Sequence, residues 1–197
     1  MSKRIRIIGL SGTNGAGKDA VGLLLAEKYN YWFISVTDIL RDELQQRGLP
    51  IDREHLRGLS AEWRRAHGLG VLIDRAVQAF EARGGAYAGV VMASLRNPHE
   101  ADRVHELDGT VVWVDADPAV RYARIQANAA GRGRAGEDNK TFEQFLAEEA
   151  AEMHAPAGAD QAALSMAEVK EKADVFIKNN SNDLGDLQGI VVAALGL

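Results

Sequence analysis

Residues 12–19, Gly12-Thr13-Asn14-Gly15-Ala16-Gly17-Lys18-Asp19, have the spacing of a phosphate-binding loop, G-x-x-x-x-G-K-[ST], with Asp19 where a hydroxyl residue is expected. Glycines so placed let the chain turn tightly, and successive backbone N–H groups then face a β-phosphate at the N-terminus of the next helix. Lys18 would reach the β- and γ-phosphates as a point charge. A carboxylate beside a polyphosphate needs an offset, which Mg²⁺, Lys18 and the helix N-terminus could each supply. Mg²⁺ prefers hard oxygen ligands, so Asp19 is a candidate metal ligand, directly or through water. The competing reading makes it a simple helix-start acid.

Such a loop works only between a strand and a helix, and the flanking pattern provides both. Ile5–Leu10 is a short β-branched run, and the segment after the loop carries Val21, Leu24, Leu25 and Lys28 at helical spacing. Tyr31–Val36 reads as a second strand, followed by a helix over Asp38–Arg47 capped by Thr37 and stopped by Gly48 and Pro50. Ile51–Arg83 reads as two helices separated near Gly68–Gly70, and Val90–Leu95 as a third strand. Asn97-Pro98-His99-Glu100 is a helix start with a cap, a first-turn proline and a reciprocating acid.

Thr110–Val114 makes a fourth strand, Asp117-Pro118 opens another helix, and 129–139 is a Gly- and Arg-bearing loop. Thr141 with Gln144 caps an acidic helix, 154–161 is a break, Val175–Lys178 is a fifth strand, and a helix closes the chain. Strands alternating with helices predict a three-layer α/β/α fold on a five-stranded parallel sheet, as one domain over residues 1–197. The acidic stretch 135–174 has its charges at helical spacing and reads as a solvated helix face.

Composition narrows the partners. A net charge of −5 gives no field that would draw the chain to nucleic acid or an anionic membrane. Arginine supplies most of the 23 basic residues, which suits bidentate contact with phosphate or carboxylate. There is no cysteine, so disulfides and thiolate metal sites are excluded, and the reducing cytoplasm is the expected setting. The basic start MSKRIRIIGL is followed by an apolar run too short for a signal core or a membrane span. The five histidines show neither metal spacing nor a nucleophile partner.

Further motifs separate the users of a phosphate loop. A GTPase should carry Asn-Lys-x-Asp, but Asn139-Lys140-Thr141-Phe142 lacks the acid and follows no strand. A motor or AAA-type ATPase would need more chain and an acidic strand end. Taken with GLSGTNGAGKD, the stretches FISVTDILRDEL, VVMASLRNPHEA, VVWVDADPAVRYARI and ADVFIKNNSNDLGDL occur in family order over nearly the whole length. The chain resembles the nucleoside monophosphate kinase superfamily of P-loop kinases, in its deoxynucleoside monophosphate kinase and dephospho-CoA kinase branches.

That resemblance implies Mg²⁺·ATP as phosphoryl donor and a small phosphorylated acceptor, foremost a (deoxy)nucleoside monophosphate. Dephospho-CoA is the next acceptor, and a nucleotide-binding regulatory module without turnover is the reading from another class. It implies an acceptor-binding insertion at about 37–83 and a metal-free lid at about 128–140. Asp38 would face the Mg²⁺–phosphate centre or take the acceptor's proton, and Arg41 and Arg96 would grip the acceptor phosphate or the transferring group. Arg121, Arg124, Arg132 and Arg134 would belong to the lid, and Asn179 and Asn180 to the adenine-side turn, whose backbone holds the base.

Arg53, Arg57, Arg64 and Arg65 fall on the acceptor insertion, with surface pairing to Asp52, Glu54 and Glu62 as the alternative. The chain departs from the pattern at Ser94, where relatives place an Asp that organises the metal's waters. Asp115 has the local pattern of a Walker-B acid (VVWVD) but is expected one strand too far away, as a turn or cap residue. Monomer and homodimer both stay open.

Overall fold

The computed structural model describes residues 6–128 and 140–197. Its strands are β1 (Arg6–Gly12), β2 (Tyr31–Ser35), β3 (Gly89–Ala93), β4 (Thr110–Asp115) and β5 (Val175–Lys178). They form one parallel sheet in the order β2-β3-β1-β4-β5. Helices α1 (Lys18–Tyr29), α2 (Val36–Gln46), α3 (Arg53–His67), α4 (Val71–Arg83), α5 (Pro98–Glu106) and α6 (Pro118–Asn128) follow in chain order. Beyond 139 come α7 (Phe142–Met153), α8 (Met166–Glu171) and α9 (Leu184–Leu195).

The central strands are near-continuous apolar runs because both faces of a parallel sheet are covered. Alternation still sorts the side chains. Val90, Met92, Val111 and Trp113 face a core shared with α2, α3, α4, α5 and α8. Val91, Ala93, Val112 and Val114 face the other core, closed by α1 and α9. The sheet being parallel, the exits of all five strands lie along one edge: the phosphate loop after β1, Ser35 after β2, Ser94–Asn97 after β3, Asp115–Asp117 after β4 and Asn179–Asp183 after β5. Ligands of open α/β sheets bind at that edge, where the strand order reverses.

Both capping boxes read from sequence are present, Asn97 with Glu100 and Thr141 with Gln144. Four expectations need correction. Helix α2 starts at Val36 with Ser35 in the cap position, so Thr37 lies inside its first turn. β3 ends at Ala93, and the short helix α8 carries no sequence signal strong enough to have been read. β4 pairs directly with β1, so Asp115 stands next to the phosphate-loop strand rather than one strand further out. The acidic helix α7 is a solvated face only in part: Glu143, Glu148 and Ala151 are exposed, but Glu149 and Glu152 are only 21% and 16% exposed and turn inward onto arginines.

Candidate active site

The phosphate loop is held from behind by three elements. Gly12 has φ +138°, and a Cβ there would lie 1.9 Å from the Val114 carbonyl oxygen, so only glycine lets the loop leave β1 so close to β4. The Thr13 hydroxyl donates to Asp115 Oδ1 at 2.6 Å. Asn179 Nδ2 donates to the Ala16 carbonyl at 2.9 Å, and the buried Arg121 guanidinium donates to Asn14 and Ala116 carbonyls while pairing with Glu149. Gly17, at φ +98°, caps α1 and aims the helix N-terminus along the loop.

Lys18 Nζ donates to the Gly12 and Thr13 carbonyls at 2.8 and 2.7 Å. Burial pulls its pKa down to about 8, and the Arg96 charge adds to that, while Asp19 and Glu152 oppose it. A polyphosphate in the loop would favour the charged form further.

The opposite wall is arginine-rich. Arg96 leaves β3 with its own N–H held by Glu100 Oε2 at 2.8 Å, and its guanidinium donates to Glu152 Oε2 at 3.1 Å. Glu152, on α7, also accepts from Arg57 at 2.9 Å and lies 3.8 Å from Arg53, which itself donates to Glu148 at 2.8 Å. Burial pushes the Glu152 carboxyl up, but the Arg96 charge, the Arg57 hydrogen bond and the Arg53 and Arg57 charges outweigh it and hold the group below the usual carboxylate range. Beneath this rim, buried Arg64 pairs with buried Glu100 at 2.6 Å, which ties α3 to the capping box of α5. Surface pairing with Asp52, Glu54 and Glu62 is corrected for Arg57, Arg64 and Arg65, whose acid partners are Glu152, Glu100 and Asp160, while Arg53 reaches Glu148.

Between the walls lies a cleft of about 1120 Å³. Its lining brings together Lys18, Asp19, Asp38, Arg41, Arg96 and Arg124, with Asn14, Gly15, Gly17 and Asn179 from the loop side. Gly12, Thr13 and Lys18 also line a narrower pocket with Arg53, Arg96 and Glu152, and Ala16 is buried under the loop. Asp38 sits in the first turn of α2 and accepts from Arg41 at 2.6 Å. Ser94 has φ +75°, a left-handed backbone rare outside glycine, which sets its hydroxyl 3.4 Å from that of Ser35 at the cleft.

Some expected residues stand elsewhere. Arg121 is buried at 2% and braces the loop instead of reaching out as a lid arm. Arg124 donates to the Asn179 and Ser181 carbonyls and to Asn182 Oδ1, so it buttresses the turn after β5. Asn180 pairs with Asp117 through both its amide atoms, clamping the β4 exit to that turn. Arg132, Arg134 and most of the expected lid lie outside the described residues. Sequence reasoning missed Glu152 and Glu149, because their acidic helix carries no sign of which face is buried. It also missed the Thr13–Asp115 contact, because it misplaced β4.

The comparisons with known proteins agree with this geometry at the level of class. Residues 8–148 match the AAA domain family. Two solved structures share the P-loop kinase fold: shikimate kinase from Bacteroides thetaiotaomicron, with TM-score 0.61 at 16% identity over 98% of this chain and 99% of that one, and shikimate kinase from Acinetobacter baumannii in complex with shikimate, with TM-score 0.56 at 18% identity over 98% and 95%. Among curated sequences, a UPF0200 protein of Pyrobaculum aerophilum is 27% identical over 186 residues, covering 93% of each chain. A UPF0200 protein of Hyperthermus butylicus is 31% identical over 140 residues, covering 71% of each.

The chain belongs to the AAA domain family and to the UPF0200 proteins. Setting AAA-type proteins aside on chain length is thereby corrected, since residues 8–148 match the AAA domain.

Proposed function

We propose that the protein is an ATP-dependent phosphotransferase of the nucleoside monophosphate kinase type, which moves the γ-phosphoryl group of ATP to a small phosphorylated acceptor, foremost a (deoxy)nucleoside monophosphate. The observation that carries this reading is the shared cleft. Lys18 and the loop amides line one wall, and Arg41, Arg53, Arg57 and Arg96 line the other. Its volume of about 1120 Å³ exceeds the roughly 300–1,000 Å³ of a pocket for one small ligand, as a two-substrate site requires.

The loop amides and Lys18 hold the β- and γ-phosphates, and the turn after β5, stiffened by Arg124, takes the base. Arg41 and Arg96 receive the acceptor's anionic end, with α2 to α4 as the acceptor-binding insertion. Phosphoryl transfer asks for positioning and neutralised oxygens more than for covalent help, and this arrangement supplies both.

Asp19 and Asp38 share the cleft as hard oxygen ligands, and Mg²⁺ needs only one or two carboxylates beside phosphate and water, so the residues fit it. Bound there with the nucleotide, Mg²⁺ would offset charge on the phosphate oxygens. Asp19→Ser is expected to keep Mg²⁺-dependent turnover within about tenfold, since a hydroxyl is also a hard oxygen donor. Unchanged Mg²⁺·ATP affinity in both Asp19→Ser and Asp19→Ala, by calorimetry, would reduce Asp19 to a helix-start acid.

The function is tested by following ADP formation from Mg²⁺·ATP with a panel of nucleoside monophosphates, dephospho-CoA and shikimate. Stimulation by a nucleoside monophosphate is expected. Tight ATP binding with no acceptor-dependent ADP would sink the kinase reading in favour of a binding module. Stimulation by dephospho-CoA alone would move the acceptor to a hydroxyl, and Asp38→Asn should then abolish it through loss of the base.

A further inference from the structure

Glu152 occupies the junction of the phosphate loop, α3 and the β3 exit, and it lines both the narrow pocket and the wide cleft. Its carboxylate gathers Arg57 at 2.9 Å, Arg96 at 3.1 Å and Arg53 at 3.8 Å. The carboxylate is 16% exposed, while the arginine side chains keep 50%, 39% and 32% exposure. One carboxylate offers two oxygens and a single charge, whereas each guanidinium carries five donors. Glu148 takes a further share of Arg53 only. Arg57 and Arg96 thus bring two positive charges to one carboxylate, and Arg53, Arg57 and Arg96 all line the cleft.

We propose that Glu152 is an internal occupant of the acceptor's anion subsite and exchanges with the acceptor's phosphate, which makes it a specificity-determining residue that admits phosphomonoesters and turns away carboxylates. This rests on the kinase reading above. Tethering on α7 holds the Glu152 carboxylate beside the arginines at high effective concentration. A free carboxylate brings the same charge and the same two oxygens, so it gains nothing over the group it must displace. A phosphomonoester brings close to two charges and three acceptor oxygens, enough to engage all three guanidinium groups at once. A plain fastening of α7 to α3 would predict none of this selectivity.

The test uses protein saturated with Mg²⁺·ADP, so that the phosphate loop is filled, and titrates inorganic phosphate and then acetate by calorimetry. In the wild type, phosphate is expected to bind and acetate to give no measurable heat. Glu152→Gln should bind phosphate about tenfold more tightly, the equivalent of about 1.4 kcal/mol, and should bind acetate as well. Arg57→Gln, at a half-exposed position, should weaken phosphate binding about tenfold.

Phosphate affinity unchanged or weaker in a folded Glu152→Gln overturns the proposal and leaves Glu152 as a fastening. Should that variant fail to fold, unchanged phosphate affinity in Arg57→Gln overturns it instead. Failure of Mg²⁺·ADP to bind at all overturns this proposal together with the kinase reading, whereas the phosphate result alone bears only on Glu152.

Discussion

On the loop side of the cleft the supporting side chains are buried: Thr13 is 8% exposed, Asn179 4% and Arg121 2%. On the facing side, Arg41, Arg53 and Arg57 keep 23%, 32% and 50% exposure, and each forms an ion pair with a carboxylate. The loop wall thus rests on buried contacts, with Asn179 and Arg121 donating to backbone carbonyls, Thr13 to Asp115 and Arg121 also to Glu149, which preorganises it for one ligand geometry. The arginine wall is held by ion pairs that a ligand anion can replace, while its root, the Arg64–Glu100 pair, is buried. On the proposed reading, an enzyme that binds one invariant phosphate tail and positions a second substrate has reason to build its walls so differently.

The largest expected effect falls on that root. Glu100→Ala leaves Arg64 buried without its partner and should cost about 3–5 kcal/mol in chemical denaturation. If the loss is no larger than for a rim residue, the two levels of the arginine wall are not distinct. Next, Lys18→Ala should lower phosphoryl transfer about 10²–10³-fold with the fold retained, read by steady-state rates and circular dichroism.

At the rim, Arg41→Ala should change stability by no more than about 0.5 kcal/mol yet raise the acceptor KM about tenfold. A rim substitution that unfolds the protein would break the contrast.

The smallest effect is the pH response of Lys18. Its pKa of about 8 lies below the ordinary value of 10.5, so between those limits the unfolded chain binds more protons and stability rises with pH. Nucleotide binding needs the ammonium form, so affinity should weaken as pH climbs through about 8, with a proton taken up on binding. Calorimetry in buffers of different ionisation enthalpy reads that proton, and Lys18→Arg should remove it.

The same contrast decided what was legible in the sequence. The five strands, the two capping boxes and the phosphate loop announce themselves through local signals: β-branched runs, Asn97 with Glu100, Thr141 with Gln144, and glycines at fixed spacing. Lys18, Asp38, Arg41 and Arg96 were placed in one cleft because each follows a strand exit, and parallel exits share an edge.

Long-range pairings were not legible. Arg57 meets Glu152 across 95 residues, and Arg64 meets Glu100 across 36, so nothing in their neighbourhoods says which acid is the partner. The position of Asp115 was misjudged for the same reason: VVWVD fixes a strand but not its neighbours, and strand order is set by tertiary packing. Arg121 looked like a lid arm because the resemblance places it in the lid region and helical spacing gives no depth, whereas in the structure it is buried against the phosphate loop, the β4 exit and α7.

The most direct measurement follows the label from γ-³²P-ATP during incubation with Mg²⁺ and a mixture of nucleoside monophosphates. Label appearing on a nucleoside diphosphate is the expected result, because it requires both walls to act on two substrates in one cleft. Label released only as inorganic phosphate, or left on ATP that is nonetheless tightly bound, contradicts it.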